Sequence, residues 1–169
     1  MLSQKKINSA IDFLKSDKIV ILPTDTIYGL SAIFNSENEL RINKIKRSEE
    51  TKKLIVLFSK NKQIKKLINL TKEFKVNLKS KEPITQIVND KNNQTIALRK
   101  VKRKDLKKII NKTGPIFSTS VNYSGNSFLN KKEELDLFNI QVSEVFWDGE
   151  LNSKPSKILD LVNKKTIRE

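Results

Sequence analysis

The chain has 169 residues, a formal net charge of +15 at pH 7, no cysteine and no histidine. The length favours one domain over residues 1–169, and the two missing residue types exclude disulfides, thiol nucleophiles, thiolate metal sites and the commonest general base. With neither a signal-peptide pattern nor an apolar run long enough to span a bilayer, the sequence predicts a cytoplasmic protein with no membrane partner.

The N-terminal part predicts a helix, a buried strand and a polar loop. Apolar residues at helical spacing predict an amphipathic helix over residues 4–16. The apolar run 19–22 predicts a strand buried on both faces, which Pro23 ends because proline lacks a backbone donor. Thr24-Asp25-Thr26 follows, and a second apolar run, 30–34, returns to the core. Such a loop can hold a small molecule rigidly, although it also suits a plain turn whose side chains bond neighbouring backbone.

The middle of the chain predicts helices around one strand. Ser36–Glu39 has the spacing of a capping box and predicts a helix that runs to about Lys46. This helix has few apolar residues, so we expect most of its surface to face solvent or ligand. Residues 54–58 predict a buried strand, 64–68 a short helix and 74–78 another.

Strands dominate the second half. Residues 84–88 and 95–98 predict two strands joined by a polar turn. A helix around residues 106–110 is ended by Gly114-Pro115. The remaining predicted elements are a strand from Ile116, a helix over 135–138 and strands over 142–147 and 158–162. Because helices and strands interleave, the sequence predicts an α+β (mixed α/β) domain, with helices flanking a twisted mixed sheet.

A second polar motif follows the strand from Ile116. It reads Ser118-Thr119-Ser120-Val121-Asn122-Tyr123-Ser124-Gly125. Its composition is typical of a turn, but four serine and threonine hydroxyls and an amide exceed what one turn requires. Hydroxyls and amides suit a site that binds phosphate oxygens and a zwitterion without a metal cage.

Three segments together resemble one known family. Pro23-Thr24-Asp25-Thr26-Ile27-Tyr28-Gly29-Leu30 is similar to the signature of the YrdC-like family, the threonylcarbamoyl-AMP synthases. The run from Ser118 to Gly125 resembles that family's Ser-Thr-Ser-Ala-Asn-x-Ser-Gly, and residues 155–161 resemble its Pro-Ser-Thr-Ile-Val-Asp-Leu. The resemblance implies a YrdC-like fold. It also implies synthesis of threonylcarbamoyl-AMP and pyrophosphate from L-threonine, bicarbonate and ATP, for threonylcarbamoyl-adenosine modification of tRNA with partner proteins.

The resemblance also implies which side chains bind each substrate. Those expected on the L-threonine side are Thr24, Arg99, Ser120 and Ser156. Those expected on ATP are Lys46, Arg47, Lys52, Thr95, Asn122 and Arg168. No catalytic side chain and no metal ligand is implied, because threonine and bicarbonate form the nucleophile, a carbamate, and Mg²⁺ accompanies ATP.

Departures from the family pattern leave an alternative open. Ser48 stands at an arginine position, which a one-residue slip would give to Arg47. Ser80-Lys81-Glu82 replaces Trp-Pro-Gly before Pro83-Ile84-Thr85, and Lys157 replaces a threonine. The alternative is a YrdC-like protein that binds double-stranded or structured RNA on a basic face without synthase activity. The cations are 29 Lys against 5 Arg, with no aromatic stacking motif, so we expect only weak RNA binding.

Overall fold

A computed structural model describes residues 1–151 and 153–169. The α-helices within them are α1 (Gln4–Lys15), α2 (Ser36–Ile45), α3 (Lys72–Asn77), α4 (Lys104–Thr113) and α5 (Lys132–Asp136). The strands are β1 (Val20–Pro23), β2 (Tyr28–Ile33), β3 (Ile55–Phe58), β4 (Ile84–Asn89), β5 (Thr95–Lys100), β6 (Ile116–Ser120), β7 (Glu144–Val145), β8 (Lys157–Asp160) and β9 (Lys165–Arg168). They form one mixed sheet in the order β7-β1-β2-β6-β3-β5-β4-β8-β9.

Both faces of the central strands are buried, which explains their continuous apolar runs. In β3, Val56 and Phe58 pack in one cluster with Phe74 of α3, whereas Leu57 packs on the opposite face with Ile110 of α4. Alternate residues of a strand point to opposite faces, so one run of apolar residues fills two cores. The predicted mixed α/β fold is therefore confirmed.

Several predicted boundaries are wrong. The capping residue of α2 is Asn35, whose side chain accepts from the backbone of Asn38 at 2.7 Å, and not Ser36. Residues 64–68 do not form a helix but follow a 3-10 turn at Asn61–Gln63. The strand predicted over 142–147 is only the two residues of β7, which pair with Val20 and Ile21 of β1.

Two further differences come from pairing that no local pattern reveals. Pro23 lies inside β1 at its last position, opposite Tyr28. Strand β7 reaches only as far as Ile21, so at Pro23 the outer side of β1 has no ladder to disrupt. Strand β9 was not predicted, because all four of its residues are exposed and no apolar run marks it. It exists because it pairs antiparallel with β8, which is therefore not the last strand.

The surface of α2 also differs from expectation. The buried side chains of α2 include two asparagines, Asn38 and Asn43, beside Ile42 and Ile45. The amide of Asn43 donates to the carbonyl oxygens of Glu50 and Lys52 at 3.0 and 2.8 Å. The few apolar residues of α2 therefore underestimate how much of its surface is buried, because two asparagines also pack inward.

Strand pairing brings the two polar motifs together. Strand β2 pairs antiparallel with β6, and Gly29 lies directly opposite Ser120. A Cβ atom at position 29 would overlap with the hydroxyl of Ser118, so this close approach requires glycine. The loop after β1 and the segment after β6 therefore lie side by side at one end of the paired strands β2 and β6.

Candidate functional site

The two polar motifs line one cavity of about 310 Å³. Its wall combines the loop between β1 and β2, the end of β6, the end of β5 and the C-terminal strands. Of the predicted site residues, those that line it are Thr24, Arg99, Ser120, Asn122, Ser156 and Arg168. The wall therefore unites residues that lie up to 144 positions apart in the sequence.

Hydroxyls hold the loop after β1 in a fixed shape. The Thr24 hydroxyl donates to the carbonyl oxygen of Ile27 at 2.7 Å and accepts from the backbone N–H of Thr26 at 3.2 Å. One carboxylate oxygen of Asp25 accepts from the N–H groups of Lys102 and Arg103 at 2.9 and 2.6 Å. Thr24 thus makes the local bonds expected of a plain turn, whereas Asp25 bonds the distant backbone at the start of α4. Together these bonds fix a loop that also forms a cavity wall.

Arg99 is a buried cation that faces the cavity, with only 5% of its surface exposed. Its terminal nitrogens lie 3.4 Å from the Thr24 hydroxyl and 3.5 Å from the Thr26 hydroxyl. Its Nε has no hydrogen-bond partner within residues 1–151 and 153–169. Among the described residues no carboxylate forms an ion pair with it. Burial lowers the pKa of Arg99 to about 10, opposed by the charge of Asp25 and reinforced by Arg168, so the guanidinium remains protonated at pH 7.

The Ser156 hydroxyl lies close to one residue from each of the two strands that flank β8, Thr85 of β4 and Arg168 of β9. It lies 2.8 Å from the hydroxyl of Thr85, and both side chains are buried. Arg168 donates through Nε to the Ser156 carbonyl oxygen at 2.8 Å, and its Nη2 lies 3.4 Å from the Ser156 hydroxyl. Burial also lowers the pKa of Arg168. The cavity thus contains two guanidiniums on neighbouring walls.

The Lys46 side chain binds the segment after β6 through three hydrogen bonds. The Lys46 side chain is 3% exposed, and its ammonium donates to the Ser120 carbonyl, the Asn122 carbonyl and the Asn122 side-chain oxygen at 2.6, 2.9 and 2.6 Å. Burial, together with the charge of Lys52, lowers the pKa of Lys46 to about 8. Lys46 does not line the cavity.

Three other predicted ATP-side residues also lie outside the cavity wall. Thr95 lines a neighbouring recess of about 260 Å³ that shares Ile55 and Thr119 with the cavity. Arg47 is exposed, and its guanidinium lies 4.3 Å from the centre of the Tyr123 ring. The Lys52 ammonium lies 3.4 Å from the Ser124 hydroxyl. None of these three side chains is therefore part of the cavity wall.

Sequence reasoning missed several wall residues. Thr85 does not line the cavity, but its hydroxyl lies 2.8 Å from that of Ser156 and it lines the neighbouring recess. It had a signal in the sequence, because it ends the Pro83-Ile84-Thr85 segment that resembles the family pattern. Asn126 and Phe128 directly follow the second motif and had no signal of their own. Within residues 1–151 and 153–169, no group of three acidic side chains could hold a metal ion. In the same part of the chain, no helix is long and apolar enough to cross a membrane.

The chain is similar to a known protein family and to named members of it. Residues 12–169 match the profile of the Sua5/YciO/YrdC family, which carries the description "Telomere recombination". Proteins named threonylcarbamoyl-AMP synthase from Aliivibrio fischeri and Pseudoalteromonas translucida are 27% and 28% identical to the chain. The two alignments cover 98% and 99% of this chain and 99% and 100% of the relatives.

Solved structures show the same fold. P. abyssi Sua5 complexed with L-threonine superposes with a TM-score of 0.85 at 22% identity, covering 98% of this chain and 54% of that one. The chain thus spans about half the length of that Sua5 protein. E. coli YciO superposes with a TM-score of 0.82 at 20% identity, covering 99% of this chain and 92% of that one.

Proposed function

Because the chain belongs to the Sua5/YciO/YrdC family, we propose that it is a threonylcarbamoyl-AMP synthase working in the cytoplasm. It would convert L-threonine, bicarbonate and ATP into threonylcarbamoyl-AMP and pyrophosphate. The two full-length relatives carry this name, and a structural neighbour was solved with L-threonine. These relatives favour the synthase over the RNA-binding alternative. The product would feed threonylcarbamoyl modification of tRNA, completed by partner proteins.

The observation that carries the proposal is the buried guanidinium of Arg99, with which no carboxylate among the described residues forms an ion pair. A buried cation is costly unless an anion meets it, and a guanidinium matches a carboxylate in a bidentate fashion. We therefore place the threonine carboxylate on Arg99. The neutral oxygens of Thr24, Ser120 and Ser156 surround the remaining polar groups of the amino acid.

ATP would occupy one end of the cavity and the recess that adjoins it. Arg168 and the Asn122 amide offer donors for phosphate oxygens at the cavity end. The adjoining recess has an apolar floor that includes Ile55 and Ala97, with Thr95 at its margin, and suits a nucleoside. ATP would enter as its Mg²⁺ complex, because Mg²⁺ is held largely by phosphates and water.

The reaction needs little covalent chemistry from the protein. The threonine amine adds to bicarbonate with loss of water, which gives a carbamate. A carbamate oxygen then forms a bond to the α-phosphorus of ATP as the bond to the β-phosphate oxygen breaks, and pyrophosphate leaves. The proposed role of the cavity is to hold these groups in line and to offset phosphate charge with Arg168.

Calorimetric titration tests the placement of the carboxylate. We expect L-threonine to bind in the presence of ATP, and L-threoninamide, which lacks the carboxylate, to bind roughly a hundredfold more weakly because it cannot pair with Arg99. The D enantiomer of threonine serves as a control for stereospecific binding. Equal affinities for threonine and threoninamide would contradict the assignment of Arg99.

A further inference from the structure

Lys46 connects the end of α2 to the segment that carries two cavity residues. Its ammonium has three N–H groups, and all three are used by oxygens of Ser120 and Asn122. In the reverse direction, the Ser124 N–H donates to the Lys46 carbonyl oxygen at 2.8 Å. A lysine that clamps phosphate needs a free donor toward the ligand, so this geometry does not suit the direct ATP contact expected from the sequence.

The charge on Lys46 also decides which way the Asn122 amide points. An ammonium can only donate, so the side-chain oxygen of Asn122 must face it. The Ser120 hydroxyl donates its single proton to the same oxygen at 2.7 Å. The Asn122 amide nitrogen donates one proton to the Asn126 carbonyl at 2.6 Å, which leaves its second proton for another partner.

We propose that Lys46 is a positioning residue that sets the hydrogen-bond polarity of the cavity wall, so that Ser120 presents an acceptor and Asn122 a donor. This inference rests on the proposed function, in which Ser120 meets the nitrogen-bearing substrate and Asn122 meets phosphate oxygens. An acceptor suits the N–H groups of threonine, and a donor suits an anionic oxygen. One buried ammonium thereby prepares the wall for both substrates at once.

Lys46→Met tests this inference because it keeps the length of the side chain and removes all three donors. We expect the dissociation constants of ATP and of threonine both to rise, each roughly tenfold, because both Ser120 and Asn122 lose their fixed orientation. Lys44→Met is the matched control, since Lys44 is an exposed lysine of the same helix. A rise for ATP alone would show a direct phosphate contact, and unchanged constants at an unchanged melting temperature would also overturn the inference.

A double-mutant cycle separates positioning from direct contact. If Lys46 acts through Asn122, adding Lys46→Met to Asn122→Ala should weaken ATP binding no further than Asn122→Ala alone. Additive losses would mean that Lys46 acts on ATP independently. Each single variant must retain cooperative unfolding for the cycle to be read.

A ligand-free measurement keeps the inference independent of the proposed function. In ¹⁵N spectra at pH 6, we expect one lysine ammonium whose protons exchange slowly with water, because all three are bonded and shielded. That signal should persist in Lys44→Met and exchange faster in Asn122→Ala. If the wild-type chain binds neither ATP nor threonine, the proposed function fails. If no protected ammonium is seen, the positioning role fails.

Discussion

Replacing Arg99 with methionine is expected to abolish most threonine binding without destabilising the protein. The substitution removes the proposed partner of the threonine carboxylate, and losing such a charge-assisted pair costs about 3 kcal/mol, roughly a hundredfold in dissociation constant. The guanidinium is 5% exposed and meets only weak contacts from two threonine hydroxyls. No ion pair of Arg99 is recorded within the described part of the chain, and exchanging a buried charge of this kind for an apolar side chain is often neutral or stabilising. The melting temperature should therefore stay the same or rise.

Calorimetry and thermal unfolding of the same samples check both parts of this expectation. Arg41→Met is a suitable control, because Arg41 forms a partly exposed ion pair with Asp17 and neither residue lines the cavity. It should leave threonine binding unchanged. If Arg99→Met binds threonine normally, or if it loses binding only because it unfolds, Arg99 is a structural cation and the carboxylate lies elsewhere.

Asp105→Asn is expected to cause the largest loss of stability. The Asp105 carboxylate is 2% exposed and accepts from the N–H of Leu2 at 2.8 Å and from the guanidinium of Arg103 at 2.8 and 3.0 Å. Arg103 also pairs with Asp148, which precedes the segment that leads to Ser156. Breaking a buried ion pair from one side typically costs about 3 kcal/mol, which corresponds to a drop of roughly 6–12 °C in melting temperature for a domain of this size.

The same carboxylate predicts how stability depends on pH. Burial alone raises the pKa of Asp105, but the hydrogen bonds from Arg103 and Leu2 and the charge of Arg103 outweigh it, so the pKa lies below its ordinary value. The folded state therefore binds this proton less readily than the unfolded state. The contribution is complete above the unfolded pKa of about 4 and is lost as the pH falls through the lower folded pKa.

Chemical denaturation of wild-type and variant proteins between pH 2.5 and pH 7 measures this contribution. The matched control is Asp136→Asn, because Asp136 forms an exposed pair with Lys132 one turn away on α5. We expect the control to change stability little at any pH. If Asp105→Asn proves as stable as the wild type at pH 7, the ion pair between Arg103 and the buried Asp105 does not stabilise the fold.

Much of this site can be predicted from the sequence, because several of its residues lie in two contiguous motifs. Thr24, Ser120 and Asn122 lie within such runs, and the adjacent strands β2 and β6 bring them together. Ser156 and Arg168 also reach the cavity, although the strand that carries Arg168 has no apolar pattern. Its position depends on pairing with β8, which is a long-range property.

The direction in which a lysine points is the part that no sequence pattern supplies. From its position at the end of α2, Lys46 could equally be an exposed lysine. The tertiary structure shows instead that its ammonium points inward and donates to the backbone oxygens of Ser120 and Asn122. Arg47 adopts a left-handed backbone conformation, with φ of 52°, which carries its side chain outward over Tyr123. Neighbouring cations in one basic run thus have opposite environments.

Pyrophosphate release, measured with each substrate left out in turn, tests the proposed synthase activity most directly. With ATP, L-threonine and bicarbonate all present, we expect equal amounts of pyrophosphate and an AMP-linked product. Omission of either threonine or bicarbonate should abolish release, because the two together form the nucleophile. Release of ADP and phosphate instead, or pyrophosphate release that does not depend on threonine, would contradict the proposed synthase activity.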